Sequence, residues 1–197
     1  WNGPPRTIPS VTVPELFALQ VARRPQAVAV VTGGEEVTYA ELDRRANQLA
    51  HLLRTAGAAP GRLVAFCLPR DADLIVTMLA IMKAGAAYVP LDPGAPPLRL
   101  GSIASDAGLG CLVTSRAKAG LWASLIAEGA LVETLVVLDA DDGEVRPPDG
   151  IDVVTASALE GLARTWVTEH PDQAAALDEE ASDVRQRLGR PRPRYQE

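Results

Sequence analysis

The sequence predicts an α/β fold, a mostly parallel sheet flanked by helices, followed by a C-terminal segment of helical or disordered character. Two observations lead to this class. Residues 63–68 form a nearly continuous apolar run, which is typical of a strand covered on both faces. Strand-like runs then alternate with helical segments of about ten residues or more, as right-handed crossovers between parallel strands require. We expect a linker at 1–11, one domain at 12–160 and a tail at 161–197.

Composition excludes several classes of function. The chain has 197 residues and a net charge of −6, which disfavours sequence-independent nucleic-acid binding. No apolar run approaches the roughly 20 residues that span a bilayer. Cys67 and Cys111 lie in strand-like runs, so we expect two buried thiols and a reducing, cytoplasmic location. Residues 1–6 lack the apolar core of a signal peptide, and we expect the chain either to begin inside a longer protein or to be processed.

The first elements are a helix and a hairpin. Thr12 and Glu15 have capping-box spacing at the start of a helix that Pro25 ends. A strand over 27–31 and a returning strand over 35–38 flank two glycines, which indicate a tight turn. The alternative for residues 32–34, a phosphate cradle, is disfavoured because no helix follows directly and no lysine is suitably placed.

The second helix begins at Thr38, where Glu41 completes the spacing of another capping box, and ends before Gly57. His51 lies near its polar edge, and we expect a solvated rather than a catalytic ring. One apolar stripe steps by four, three and four residues: Leu42, Ala46, Leu49 and Leu53.

The remaining elements follow in alternation. A helix from Asp71 ends with Lys83, a cation in its last turn, and Gly85 allows a left-handed exit. Further strands are predicted at 86–89, 111–114, 134–139 and 151–154, and further helical segments at 97–107, 117–128 and 157–163.

Five acidic residues cluster in the loop 139–150. They could hold a metal ion, but the spacing is not that of a calcium loop, and a solvated loop is the preferred interpretation. The five are Asp139, Asp141, Asp142, Glu144 and Asp149.

The segment from Pro171 to Leu188 carries a weak apolar stripe on an otherwise charged background. The stripe consists of Ala174, Leu177, Ala181, Val184 and Leu188, and two heptads are too few for a coiled coil. We expect a marginal surface helix with a disordered tail. The alternative is a helix that docks on an accessory protein or another partner.

Two motifs make the chain resemble the start of an amino-acid adenylation domain of a nonribosomal peptide synthetase. Residues 37–42, Val-Thr-Tyr-Ala-Glu-Leu, resemble the first core motif of that family, and residues 82–92, Met-Lys-Ala-Gly-Ala-Ala-Tyr-Val-Pro-Leu-Asp, the second. Trp1-Asn2 resembles the linker after an upstream condensation domain. The resemblance implies a family that activates an amino acid with ATP and magnesium and loads it onto a carrier-protein thiol. Both motifs belong to the scaffold.

The groups that such chemistry needs are missing from the sequence. The resemblance implies a Ser/Thr/Gly-rich loop followed by lysine and a late catalytic lysine, and neither is present. Residues 114–120 lack the glycines that bring backbone amides to a phosphate. We therefore predict no catalytic, cofactor-binding or metal-binding residue, and a chain inactive alone. The alternative is a docking module. A complete doubly wound nucleotide-binding domain is disfavoured because no Gly-x-Gly-x-x-Gly follows a strand.

Overall fold

A computed structural model of the chain describes residues 11–118, 125, 129, 132–140, 144–145 and 150–155. The helices of this part are α1 (Val13–Arg23), α2 (Tyr39–Thr55), α3 (Ala72–Lys83) and α4 (Pro97–Asp106), with a short 3-10 helix at Arg116–Lys118. The strands are β1 (Val28–Thr32), β2 (Glu35–Thr38), β3 (Leu63–Cys67), β4 (Ala87–Pro90), β5 (Cys111–Thr114), β6 (Thr134–Val137) and β7 (Asp152–Thr155).

The capping box predicted for α1 is confirmed. Thr12 N donates to the Glu15 carboxylate at 2.5 Å, and Glu15 N donates to Thr12 Oγ1 at 3.4 Å. At α2 only half of the predicted box forms: Glu41 N donates to Thr38 Oγ1 at 3.2 Å. The Glu41 carboxylate instead accepts hydrogen bonds from Arg44 and Arg45, because two guanidinium groups offer stronger, charged donors. These hydrogen bonds lower the pKa of Glu41 to about 2.

β1 and β2 form a separate antiparallel hairpin, in which Thr32 pairs with Glu35 and Val30 with Val37. Gly33 and Gly34 have φ angles of +55° and +89°, the left-handed values of a type I′ turn. The predicted hairpin turn is therefore confirmed.

The central sheet has five strands in the order β4-β3-β5-β6-β7, and every neighbouring pair is parallel. The chain runs from β3 to β4 on one side and then crosses to β5 on the other side of β3. From β5 it continues outward through β6 to β7. The predicted mostly parallel sheet is thus confirmed, and its strand order is that of a doubly wound fold.

Both faces of this sheet are buried. Val64 and Phe66 of β3 belong to a core built with α2 and α3. Ala65 and Cys67, which alternate with them, belong to a second core that includes Leu100 of α4. The nearly continuous apolar run at 63–68 reflects this double burial, since each successive side chain meets a different layer.

Several predicted segments fall outside the described residues. They are the linker except Val11, the residues Asp141, Asp142 and Asp149, the segment 157–163, the stripe of 171–188 and the tail as a whole. Of the helix predicted at 117–128, Ala117 and Lys118 lie in the 3-10 helix, and Leu125 is helical and buried. Among the described helices none is both long and apolar enough to cross a membrane.

Candidate functional site

The carboxyl ends of β3 and β5 mark the point where the strand order of the sheet reverses. In open α/β sheets ligands bind in the crevice outside the strand ends at such a switch point. We name this region the carboxyl-edge crevice and define it by residues 67–71 after β3, residues 114–118 after β5, Asp92 after β4 and Asp139 after β6. Its chemistry depends on which polar groups are open to a ligand.

The N-terminus of α3 is the first group in the crevice that could attract an anion. Asp71 already occupies it, because Leu74 N donates to Asp71 Oδ1 at 3.3 Å. Asp73 adds a second carboxyl to the first turn, and its pKa is raised mainly by burial and then by the charge of Asp71. A phosphate at this helix end would therefore meet two acidic side chains, which repel it once ionised.

The Thr114 hydroxyl is the second group. Thr114 is fully buried, and its Oγ1 donates to the carbonyl oxygen of Cys67 at 3.1 Å. These two residues are direct partners in the β3–β5 ladder. The hydroxyl thus forms a hydrogen bond with the backbone carbonyl at the end of β3 and is not directed at a ligand.

Arg116 is the third group, and it joins the acidic loop 139–150 to the segment between the predicted strand 111–114 and the predicted helix 117–128. Its backbone N donates to Asp139 Oδ1 at 2.5 Å, and its Nη1 donates to the two carboxylate oxygens of Glu144 at 3.1 and 3.0 Å. The ion pair is exposed and is worth at most about 1 kcal/mol. It nevertheless places a carboxylate where a phosphate would otherwise bind the guanidinium.

Cys67 lies at the floor of the crevice and is fully buried. Burial is the main cause that raises the pKa of its thiol, and the negative charge of Asp92 raises it further. The positive charge of Lys118 lowers this pKa by less than burial raises it. Cys111 faces the other core, where burial raises its pKa to about 12. Both thiols are protonated at neutral pH and are poor nucleophiles, so the predicted buried, unpaired cysteines are confirmed.

Two further candidates from the sequence lie away from the crevice. The turn at Gly33-Gly34 connects two strands and no helix follows it directly, as expected for a hairpin. The prediction of a solvated His51 is wrong: the ring is half-buried and its Nδ1 is enclosed. Arg54 of α2 and Lys83 at the end of α3 lie near enough to act on its charge. Burial and these two cations lower its pKa.

In the described ranges no group of three or more His, Cys, Asp or Glu residues is placed to hold a metal ion.

Comparison with known proteins decides the family. Residues 17–182 match the model of the family described as AMP-binding enzyme. The chain belongs to the AMP-binding enzyme family.

Within this family the chain is similar to nonribosomal peptide synthetases. It is 43% identical to the dimodular nonribosomal peptide synthase of Bacillus subtilis over 115 residues, which are 58% of this chain and 5% of that protein. It is also 42% identical to CymA of Salinispora arenicola, which is described as a probable non-canonical nonribosomal peptide synthetase. This match extends over 190 residues, which are 89% of this chain and 2% of that protein.

A solved structure extends this likeness to the fold. The nonribosomal peptide synthetase FmoA3, crystallised with α-methyl-L-serine-AMP, matches with a TM-score of 0.59 and 28% identity. The match covers 78% of this chain and 15% of that one. The predicted resemblance to an adenylation domain is confirmed, and the chain spans only a small part of each of these relatives.

The second of the two family motifs recognised in the sequence contacts α2, the helix that begins within the first. The first, residues 37–42, spans the end of β2 and the start of α2, and the second, residues 82–92, runs from the end of α3 along β4 to the carboxyl-edge crevice. Lys83 Nζ donates to Asp43 Oδ1 at 2.7 Å and to Asn47 Oδ1 at 2.5 Å. Arg54 Nη2 donates to the Lys83 carbonyl at 2.6 Å. Sequence reasoning assigned Lys83 only to the helix dipole and missed this contact.

Proposed function

We propose that the chain forms the N-terminal part of a nonribosomal peptide synthetase adenylation domain and that it does not form an aminoacyl adenylate by itself. The family match and the synthetase relatives support the first statement. In the proposal the described residues serve as scaffold, and none of them is catalytic, binds a cofactor or holds a metal ion.

The observation that carries the proposal is the state of the carboxyl-edge crevice. Each of its three strongest anion-binding groups already has an internal partner: the α3 N-terminus has Asp71, the Thr114 hydroxyl has the Cys67 carbonyl, and Arg116 has Glu144. Transfer to an α-phosphate requires fixed donors aimed at the charge that develops there. These engaged groups do not supply such donors.

The positive charge that remains in the crevice comes from Arg70 and Lys118. Arg70 is exposed and Lys118 is half-buried near the Cys67 thiol. Two such cations lack the glycine-rich backbone that lets several amides approach a triphosphate together. ATP and Mg²⁺ are therefore proposed as ligands of a complete domain, in which further residues complete the site.

The test is amino-acid-dependent exchange of pyrophosphate into ATP, measured with the 197-residue chain, Mg²⁺ and each proteinogenic amino acid. We expect no exchange above the blank without amino acid. An intact adenylation domain of the Bacillus subtilis dimodular synthase serves as the positive control. Exchange that requires one amino acid and disappears in an Arg70→Ala, Lys118→Ala double variant would overturn the proposal.

The synthetase context implies partners that are also proposed: an upstream condensation domain and a carrier protein. The cytoplasmic location stays a prediction that follows from the buried, unpaired thiols.

A second candidate function is docking through the stripe of residues 171–188, which lies outside the described residues. The spacing of three and four residues between its apolar positions favours an amphipathic helix. Light scattering of the full chain and of a variant without residues 165–197 tests it. A larger assembly that needs these residues supports docking, whereas a monomer in both cases contradicts it.

A further inference from the structure

Lys83 at the end of α3 contacts α2 at two levels, and His51 lies between them. Lys83 Nζ donates to Asn47 Oδ1 at 2.5 Å, and the Lys83 carbonyl accepts a hydrogen bond from Arg54 Nη2 at 2.6 Å. Positions 47, 51 and 54 are spaced by four and three residues, so they share one side of the helix. The His51 ring is half-buried there, and its Nδ1 is enclosed. We call Asn47, His51, Arg54 and Lys83 the junction latch.

The latch completes the C-terminal cap of α3. The helix ends in a Schellman motif, in which Gly85 has a φ of +86° and Ala86 N donates to the Ile81 carbonyl at 3.1 Å. Lys83 is the last residue of the helix, and its carbonyl takes no part in that motif. Arg54 supplies a donor to this carbonyl. The guanidinium group beside His51 therefore holds the helix end from which the chain continues into β4.

A proton on the His51 ring adds a third positive charge to the latch. Arg54 on α2 and Lys83 on α3 carry the other two, and both act on the ring. The carboxylate of Asp43 also faces the latch from α2, but it lies 2.7 Å from Lys83 Nζ, so its charge is already paired. Burial, together with the two cations, lowers the pKa of His51. Protonation therefore favours an arrangement in which the charged ring, Arg54 and Lys83 are further apart.

We propose that the junction latch is a pH-sensitive switch, in which a proton on His51 releases Arg54 from the Lys83 carbonyl and frees the end of α3. Arg54 is the group that moves, because it is exposed and lies one turn from the ring on the same helix. Lys83 stays with Asp43, to which it is bound by opposite charge. The opening is local, since the five-stranded sheet does not depend on this hydrogen bond. The switch is independent of the proposed function, because it needs only contacts within this chain.

Amide hydrogen exchange of the full 197-residue chain, corrected for the intrinsic effect of pH, tests the switch. The reporter is the amide of Ala86, which closes the Schellman motif. Low urea concentrations separate local from global opening, because only global unfolding exposes enough surface to respond to urea. Local opening that takes up one proton becomes more favourable below the ordinary histidine pKa of 6.5. We expect protection of the Ala86 amide to be insensitive to low urea and to fall about three- to tenfold from pH 7.5 to 5.5.

Two glutamine variants form a matched pair. His51→Gln should give the same protection of the Ala86 amide at both pH values, whereas His170→Gln, which retains the latch, should keep the fall. A fall that persists in His51→Gln overturns the proposal. Exchange of the Ala86 amide that responds to urea as the amides of β5 and β6 do also overturns it, since the end of α3 then opens only when the whole chain unfolds.

A second measurement needs no variant of the latch. In the His170→Gln chain His51 is the single histidine, so NMR follows its ring and the carbonyl carbon of Lys83 through one pH titration. Both signals should shift with a common midpoint below the ordinary value of 6.5. A ring that titrates while the Lys83 carbonyl signal stays constant overturns the proposal, because the ring then takes up its proton without releasing Arg54. A midpoint at or above 6.5 overturns it as well, since the latch then does not oppose the proton.

Discussion

Lys83 Nζ lies 2.7 Å from Asp43 Oδ1, although 40 positions separate the two residues in the chain. Their side chains are only 15% and 23% exposed, so water screens this ion pair less than the other ion pairs of the described residues. Lys83 belongs to the second motif, and Asp43 directly follows the first. The contact therefore joins the second motif to the residue that directly follows the first.

Replacing Lys83 with Met should lower the free energy of unfolding by about 1–3 kcal/mol, because the half-buried Asp43 carboxylate loses its cation. Urea denaturation of the full chain at neutral pH measures the change. Arg44→Met is the matched control: its ion pair with Glu41 is 56% exposed on the arginine side, and its loss should cost under about 1 kcal/mol. Equal effects of the two variants would contradict a special role for the α2–α3 junction.

Gly85 follows α3 with a φ of +86°, and a Cβ added there would lie 3.3 Å from Pro60 Cδ and Cγ. Gly108 also has a positive φ, +58°, but a Cβ added there would meet nothing within 4 Å. Gly108→Ala should cost about 1 kcal/mol of stability for the left-handed backbone alone. Gly85→Ala should cost about 2 kcal/mol or more, because it also crowds the proline ring. Identical thermal midpoints for the two variants would show that the Pro60 contact is irrelevant.

The sequence predicted the elements well because their signals are local. The apolar run at 63–68 reflects a short strand that is covered on both faces. The apolar residues of α2, spaced by four, three and four positions, reflect a helix that is covered on one face. The strand order β4-β3-β5 was not predicted, since the residues of a strand do not indicate on which side of the preceding strand it pairs. The order nevertheless determines where the carboxyl-edge crevice forms.

The contacts inside the candidate site were harder to predict. Arg116 and Glu144 are 28 positions apart, and neither carries a local signal that selects the other. His51 was expected in solvent because its position on α2 is near the polar edge, but its ring is half-buried and Lys83 of α3 lies near enough to act on its charge. Pair contacts of this kind follow from tertiary packing, which a pattern along one helix does not contain.

The two thiols provide a test of the packed sheet. Cys67 and Cys111 are buried on opposite faces, and burial raises the pKa of both. Because the thiolate is the reactive form, a disulfide reagent should label neither thiol quickly in the native chain at neutral pH. Both should react at once in denaturing urea, giving two thiols per chain. Rapid labelling of one native cysteine would show that its side of the sheet is open to solvent.

His51 makes stability depend on pH in a defined direction. Its pKa in the folded chain lies below the ordinary value of 6.5 because burial disfavours the charged ring and Arg54 and Lys83 repel it. Below about pH 6.5 the unfolded chain therefore takes up a proton that the folded chain does not, and the free energy of unfolding falls until the folded pKa is reached.

Urea titrations at about pH 7.5, 6.5 and 5.5 measure this fall. His51→Gln should flatten the dependence in this window, whereas His170→Gln, which retains His51, should keep the fall. Glu41 does not interfere, because its folded pKa of about 2 and its ordinary value of 4.5 both lie below the window. A His51→Gln curve as steep as that of the parent chain would mean that the ring titrates equally in both states, and the enclosure of His51 beside Lys83 would then be wrong.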